Sequence, residues 1–459
     1  MKIPVIAIFD IGKTNKKLFL FDEDYKIVFE RSARFIETKD EDGDTCENLE
    51  SLRLSVFDSL HEVLRNKQFE IKAINFSTYG ASLVYVDENG KPLAPLYNYL
   101  KEYPETLKEQ FYDTYGGEEK VAVSTASPVL GSLNSGMQFY RIKHQKPELF
   151  EKIKYALHLP QYMSSIITGE MHSDITSIGC HTNFWDFEKQ DYHQWVYSEG
   201  LADKLAPIFP GNEVMQSTFP SENYLTGVGL HDSSAALIPY IESFKEPFIL
   251  LSTGTWCISL NPFNNQPLTK AELDKDCLCY LSYQAKPIKA SRLFAGFEHE
   301  QEVKRIAAHF GTTVGKYKST KLSLPIINQY LHEGSLTDYF DTLIEGDLNF
   351  ANKELTDFKD DEDAYHYLIF TLVFKQYKST QLVLKNTAVK RIFVDGGFSK
   401  NQIFMNLLAM VFPNTEVYAA SMAQATSMGA AVAIHKHWNT KPLPTDMIAL
   451  KLFVSPVKS

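Results

Sequence analysis

The chain has 459 residues, more than one ordinary hydrophobic core accommodates, so two domains are the starting expectation. With 44% hydrophobic and 22% charged residues it has the composition of a globular protein in water, and its net charge of -11 argues against nucleic acid or an anionic membrane as partner while allowing a local basic pocket for phosphates. Five cysteines without framework spacing point to reduced thiols in the cytoplasm, the apolar run Ile3 to Phe9 stops at Asp10 with no cleavage signal, and no run approaches the roughly eighteen apolar residues of a membrane span.

Residues 5 to 9, 17 to 22 and 27 to 35 read as three successive strands, the first two joined by a tight turn at Gly12. ETKDEDGDTCEN (37 to 48) is acidic and reads as a solvated loop. Leu49, Leu52, Val56, Leu60, Val63 and Leu64 then recur on one face of an amphipathic helix. IKAINF (71 to 76) is a buried strand that brings Ser77, Thr78, Tyr79 and Gly80 to its C-terminal end, where open α/β sheets carry their sites. Three strands, a helix and a strand make up one half of a ribonuclease H or actin type of fold. SLVYVDENGKPLAPLYNY (82 to 99) reads as a hairpin about Asn89-Gly90. Helices near 134 to 145 and 160 to 168 follow, then polar TSIGCHTN (176 to 183) and aromatic FWDF (184 to 187), the latter a core segment.

GVGLHDSSAA (227 to 236) places a charged Asp232 among small residues just ahead of an apolar helix, an unusual position for a carboxylate. About twenty residues later FILLSTGTWCISL (248 to 260) repeats the strand, turn and strand with which the chain opens, so the element order begins twice and divides the chain into residues 1 to 240 and 241 to 459. The second half continues with a polar loop (261 to 276), a strand holding Cys277 and Cys279 as buried thiols rather than metal ligands, and a helix over 298 to 310. An acidic surface run (353 to 367) enters a long helix to Leu384. RIFV (391 to 394) is a buried strand ending in DGGFSKNQ, with Ser399 and Gln402 spaced as a capping box for the next helix, and the Ala-rich helix 423 to 435 comes last.

Four turns bear on chemistry. DIGKTNKK (10 to 17) offers backbone N–H groups, a Thr hydroxyl and lysines suited to a polyphosphate; STGT (252 to 255) offers a second such turn; DGGFSKN (395 to 401) sets two glycines and a helix N-terminus after a buried strand; and Asp232 supplies a carboxylate for proton transfer. Each alone is an ordinary turn or cap, and it is their joint order that gives them meaning. The chain has neither the GxxxxGK[ST] loop nor the kinase GxGxxG loop.

In that order the four motifs resemble the FGGY family of carbohydrate kinases over nearly the full length: DIGKTNKK its first phosphate motif, LSTGTW its second, VDGGFSKNQ with AQATSMGAA its adenosine region, and His231-Asp232 its substrate-aspartate motif. STYGASLVYVDENGKPL, LHLPQYMSSIITGE, GLHDSSAA and LSTGTW look most like the rhamnulose kinases of that family. The resemblance implies two actin-like (ribonuclease H-like) α/β ATPase domains around a cleft, with ATP and Mg²⁺ as cofactors and a small sugar as substrate. Asp232 would be the general base, with His231, Ser233, Gly80, Tyr79, Tyr97 and Asn98 around the sugar. Lys13, Thr14, Asn15, Lys17, Gly254 and Thr255 would hold phosphates, Gly396, Gly397, Asn401 and Gln301 would border the nucleotide, and Asp10 would orient hydrated Mg²⁺. Three departures accompany it: LYNYLKEY (96 to 103) stands where many members carry Trp-Asp-x-Arg, Gln424 where the last motif often has Glu, and Leu293 where rhamnulose kinases have a polar group. The resemblance implies phosphorylation of a 6-deoxyketohexose such as L-rhamnulose or L-fuculose at O1, with pentulose kinases of the xylulokinase or ribulokinase type as the alternative. An actin-like ATPase or a sugar sensor remains open as a different class, and so does a homodimer.

Overall fold

The computed structural model describes residues 2–13, 15–33, 36–219, 224–331, 334–344, 346–422 and 424–455. Its element order does begin twice. Across the first sheet the strands run Val214–Gln216, Leu225–Gly227, Phe69–Thr78, Ile3–Ile11, Lys16–Asp22 and Ile27–Ala33, with Leu230–His231 beside the end of Phe69–Thr78. Across the second they run Cys277–Leu281, Pro287–Leu293, Cys257–Asn261, Phe248–Thr253, Arg391–Gly396, Glu416–Ser421 and Ala449–Phe453. In each sheet the opening strand lies between an antiparallel hairpin partner and a parallel strand that arrives from a helix, Leu49–Arg65 in one half and Asp361–Leu384 in the other. This is the two-domain actin-like architecture.

Alternation along the strands fixes what each face covers. Val5, Ala7 and Phe9 pack with Leu18, Leu20 and the apolar stripe Leu52, Val56, Leu60 of the helix outside. Ile6 and Ile8 face inward and share one apolar cluster with Leu250, Leu260 and Phe393 of the second sheet. Two helices fill the space between the sheets, Asp232–Ser243 and Ala425–Ala433, contributing Leu237, Ile238, Ala430 and Ala431 to that cluster. They cross so closely that a Cβ on Gly429 would lie 1.8 Å from the carbonyl oxygen of Ala235, which accounts for the small residues in both segments.

Several local expectations give way. In the 82 to 99 segment only Leu83–Val86 is a strand, and it pairs with Tyr155–His158; the return past Gly90, punctuated by Pro92 and Pro95, is reduced to a bridge between Val86 and Pro92 because proline supplies no ladder donor. The acidic 37 to 48 stretch is a folded flap rather than a solvated loop: Glu37–Lys39 pairs with Thr45–Glu47, Lys101 binds Asp40 at 2.5 Å, Asp42 at 2.6 Å and Asp44 at 3.0 Å, and Asp40, Cys46 and Glu47 are buried. Asp361 and Asp363, expected at the surface, are buried where the long helix begins, Asp361 against Lys316 at 2.6 Å. The cap of Gln402–Val411 is Asn401, whose side chain accepts the N–H groups of Ile403 and Phe404, while Ser399 donates to Gly396 instead. All five cysteines are free and buried.

Candidate active site

Asp232 is the first residue of its helix, reached directly from Leu230–His231, which lies in parallel register with Ser77 and Thr78. Its Oδ1 accepts the Ser233 N–H at 2.6 Å and the Ser233 hydroxyl at 3.2 Å, and His231 Nε2 stands 3.3 Å away. Oδ2 has no hydrogen bond among the described residues, and 31% of the side chain remains open to solvent. Desolvation by the surrounding protein pushes the carboxyl up to about 6, against a partial lowering by Ser233. The result is a carboxylate at neutral pH whose free oxygen is a better proton acceptor than an ordinary aspartate.

His231 is buried and pushed down to about 4, so it is neutral at pH 7. Its backbone N–H donates to the Thr176 hydroxyl at 3.0 Å, and Thr176 in turn is bonded to the buried Asp174. Cys180 Sγ lies 3.5 Å from His231 Nε2, and Nδ1 has no partner among the described residues. Gly80 has a packing reason: a Cβ there would lie 2.7 Å from the His231 ring. TSIGCHTN, read from sequence only as polar, is therefore the buried support of the histidine and carboxylate.

Asp10 lies in register with Ser77 on one side and Lys17 on the other. Its Oδ2 accepts the hydroxyls of Thr426 at 2.6 Å and Ser427 at 2.9 Å, both from the helix Ala425–Ala433 of the second half. Burial raises its pKa, and the charge of Asp232 adds to the rise, which sets the two carboxylates within each other's field. Oδ1 has no hydrogen bond among the described residues, so the donor set fits a hydrated divalent cation: a carboxylate oxygen, held in place through its twin by two hydroxyls. Lys17 is paired with Glu30 at 2.6 Å. Lys13 Nζ lies 3.4 Å from Glu47 Oε1 and 5.6 Å from the ring centres of both Tyr79 and Tyr99, and the Tyr79 hydroxyl donates to the same Glu47 oxygen at 2.9 Å. Asn15 is exposed and closes the turn by accepting the Gly12 N–H at 2.8 Å; Thr14 lies outside the described residues.

On the second half, a cavity of about 590 Å³ is lined by Gly254, Gly296, His299, Tyr317, Tyr365, Gly397, Asn401 and their neighbours. Two turns are stitched together at its floor: the Thr253 carbonyl accepts the Gly397 N–H at 2.9 Å, and the Thr253 hydroxyl accepts the Phe398 N–H at 3.0 Å. Gly396 has φ +94°, and its Cβ would meet the Thr253 carbonyl oxygen at 1.9 Å, so it builds this junction, whereas a Cβ on Gly397 meets nothing and that residue opens the cavity. Asn401 Nδ2 donates to the Tyr365 hydroxyl at 2.8 Å, and Tyr365 stacks on Tyr317 at 4.7 Å. The size, the glycine backbone and the aromatic wall fit a purine nucleoside.

Gln301 does not line the cavity. The helix Ala295–Phe310 turns Gly296, His299, Glu300 and Val303 toward it, at the spacing of one helical face, and Gln301 is exposed off that face. Thr255 is exposed and does not line it either; its carbonyl accepts the Phe297 N–H at 3.1 Å. Tyr97 and Asn98 are spent on the acidic flap, Tyr97 donating to Glu41 at 2.7 Å and Asn98 to the Thr45 carbonyl at 3.2 Å. Tyr99 and Tyr280 both lie within the field of Asp232. Glu47, Tyr99, Thr176, Cys180, His299, Tyr317 and Tyr365 went unseen in the sequence; of these, only His299 had a legible signal, the helical spacing from Gly296.

Comparison with known proteins places these features in a family. Residues 5–238 match the N-terminal domain of the FGGY family of carbohydrate kinases, and residues 245–442 match the FGGY carbohydrate kinase C-terminal domain. A rhamnulokinase from Halalkalibacterium halodurans is 23% identical over 260 residues, a match spanning about half of each protein, 54% in both cases. Among solved structures, a carbohydrate kinase from Novosphingobium aromaticivorans superposes with a TM-score of 0.80 at 21% identity, covering 99% of this chain and 95% of that one. A ligand-bound xylulose kinase from Lactobacillus acidophilus gives 0.77 at 16% identity, with 99% and 94% covered. Plasmodium falciparum glycerol kinase with ADP gives 0.74 at 16% identity over the same shares. With both halves matched in order, and with the Asp232 helix and the doubled sheet where such a fold needs them, the chain belongs to the FGGY family of carbohydrate kinases.

Proposed function

We propose that the chain is an ATP-dependent sugar kinase that phosphorylates a ketose, a 6-deoxyketohexose such as L-rhamnulose or L-fuculose at O1. The observation that carries this reading is Asp232 itself: a carboxylate with one free oxygen at the head of a helix between the two sheets, facing solvent and raised to about 6. An ATPase that only switches a binding surface has no use for such a base. The sequence motifs and the rhamnulokinase relative favour the deoxyketohexose, and the fold shared with a xylulose kinase keeps pentuloses as the second reading.

In this mechanism Asp232 Oδ2 accepts a hydrogen bond from the sugar hydroxyl and takes its proton late, as the hydroxyl oxygen bonds to the γ-phosphorus and the bond from that phosphorus to the bridging oxygen breaks, ADP leaving with the oxygen. The Ser233 N–H and hydroxyl hold Oδ1, with the neutral His231 ring 3.3 Å beside it, so that Oδ2 keeps one direction. Lys13, Lys17 and the N–H groups of the turns at 10 to 17 and 252 to 255 neutralise the phosphate oxygens, and the cavity between Gly254 and Asn401 seats adenosine. Mg²⁺, held through water by Asp10, would supply further charge neutralisation at the phosphates. We read residues 1 to 240 as the sugar-binding half and 241 to 459 as the nucleotide half, acting in the cytoplasm, with a homodimer as an assembly to be measured. Asp232→Asn tests the assignment: kcat for the sugar is expected to fall about 10²–10⁴-fold while Mg-ADP binds as before, and undiminished phosphorylation would remove Asp232 from its role.

A further inference from the structure

Glu47 has no role in the mechanism above, yet its place is unusual. It is 4% exposed, and its carboxylate ties together both sides of the site: Lys13 on the first phosphate turn at 3.4 Å, Lys16 at 3.2 Å, and the hydroxyl of Tyr79, one residue before Gly80, at 2.9 Å. The flap that carries it is anchored elsewhere, by Lys101 on Asp40, Asp42 and Asp44. Lys13 is the looser partner, 29% exposed and 5.6 Å from the ring centres of both Tyr79 and Tyr99, whereas Lys16 is 7% exposed and lies 3.2 Å from the second oxygen. Burying a carboxylate is costly without compensation, and with Lys13 gone this one would keep the buried Lys16 ammonium 3.2 Å from Oε2 and the Tyr79 hydroxyl on Oε1. Lys13 can therefore leave without stranding a buried charge.

Resting on the assignment of Lys13 to the phosphates, we propose that Glu47 is a positioning residue whose carboxylate occupies Lys13 in the open cleft, holding the ammonium beside the Tyr79 and Tyr99 rings until the phosphate groups of the nucleotide take it over. The exchange replaces one anion by another. Its cost is a weaker grip on the resting triphosphate, and its return is a lysine delivered from a fixed starting point beside the sugar turn.

The test is binding of adenosine and of Mg-AMP-PNP to the full chain, measured by calorimetry on wild type, Glu47→Gln, Lys13→Ala and the double variant. Removing the competing anion is expected to tighten Mg-AMP-PNP about two- to fivefold, the size of a partly exposed ion pair, with adenosine affinity unchanged and the gain absent from the double variant. Glu47→Asp, which keeps the charge for Lys16 but withdraws it from Lys13, is expected to give a smaller gain in the same direction and serves if the Gln variant does not fold. Unchanged or weaker Mg-AMP-PNP binding in a variant that holds adenosine normally would overturn the proposal. If Lys13→Ala alone leaves Mg-AMP-PNP affinity at the wild-type value, the phosphate assignment of Lys13 fails first, and that outcome is distinct from a failure of Glu47.

Discussion

As the proposed base, Asp232 would meet two opposed demands: to be a carboxylate at working pH, and to hold a proton better than a solvated aspartate does. Burial supplies the second, and hydrogen bonds from Ser233 keep the first. Because the pKa is raised, to about 6, protonation sets in at higher pH than for an ordinary aspartate, so kcat/KM is expected to fall as pH drops through about 6 and to be level above it. A profile whose acid limb lies near 4 would place the base elsewhere. Thr176 acts through the His231 backbone, so Thr176→Val should lower kcat about five- to tenfold, the worth of one neutral hydrogen bond, and Thr176→Ser should restore it. At this scale the sequence reveals residues that are chemically odd for their neighbourhood. Asp232 stands out among glycines and serines, and Asp10 interrupts an apolar strand. Glu47 and Cys180 do not stand out, because what makes them matter is a partner brought from elsewhere in the chain, Lys13 from 34 residues away and His231 from 51. The Tyr97 and Tyr99 pair was legible as a type and not as an assignment, since only the fold decides which ring turns toward the cleft.

The two glycines at 396 and 397 separate shape from function at the scale of an element. Gly396→Ala adds a Cβ onto the Thr253 carbonyl at positive φ and should destabilise the second half, whereas Gly397→Ala meets nothing in the fold and should leave the melting temperature unchanged while weakening Mg-ADP. Calorimetric melting and ADP titration of both variants read the two effects separately. Gly429→Ala strikes the crossing of the two central helices and is expected to cost about 1–3 kcal/mol in thermal unfolding. Strands and helices were legible where periodicity is strong, as in Ile3–Ile11 and Leu49–Arg65. The acidic flap was misread because composition favours solvent for its aspartates, and nothing local announces that Lys101 will gather three of them.

Taken whole, the molecule is two sheets that share an apolar cluster through a pair of crossed helices, each helix bringing a polar terminus to the site: Asp232 from one, Thr426 and Ser427 from the other. On the proposed assignment a sugar bound by the first half and a nucleotide in the second would approach the same place, and a rocking of one half on the other about these helices would exclude water from the transfer. Small-angle scattering should register that closure as a decrease in radius of gyration when sugar and Mg-AMP-PNP are both present. The doubling of the fold was legible in element order alone, since strand, turn and strand occur at both starts. The substrate was not, because a sugar pocket is fixed by a few polar groups drawn from separate loops. The most direct measurement is therefore release of ADP from Mg-ATP across L-rhamnulose, L-fuculose, both xyluloses, both ribuloses, gluconate and glycerol, beside a control without sugar. The account predicts release that depends on a ketose, strongest with a 6-deoxyketohexose and lost in Asp232→Asn; ADP release at the same rate with and without every sugar would contradict it.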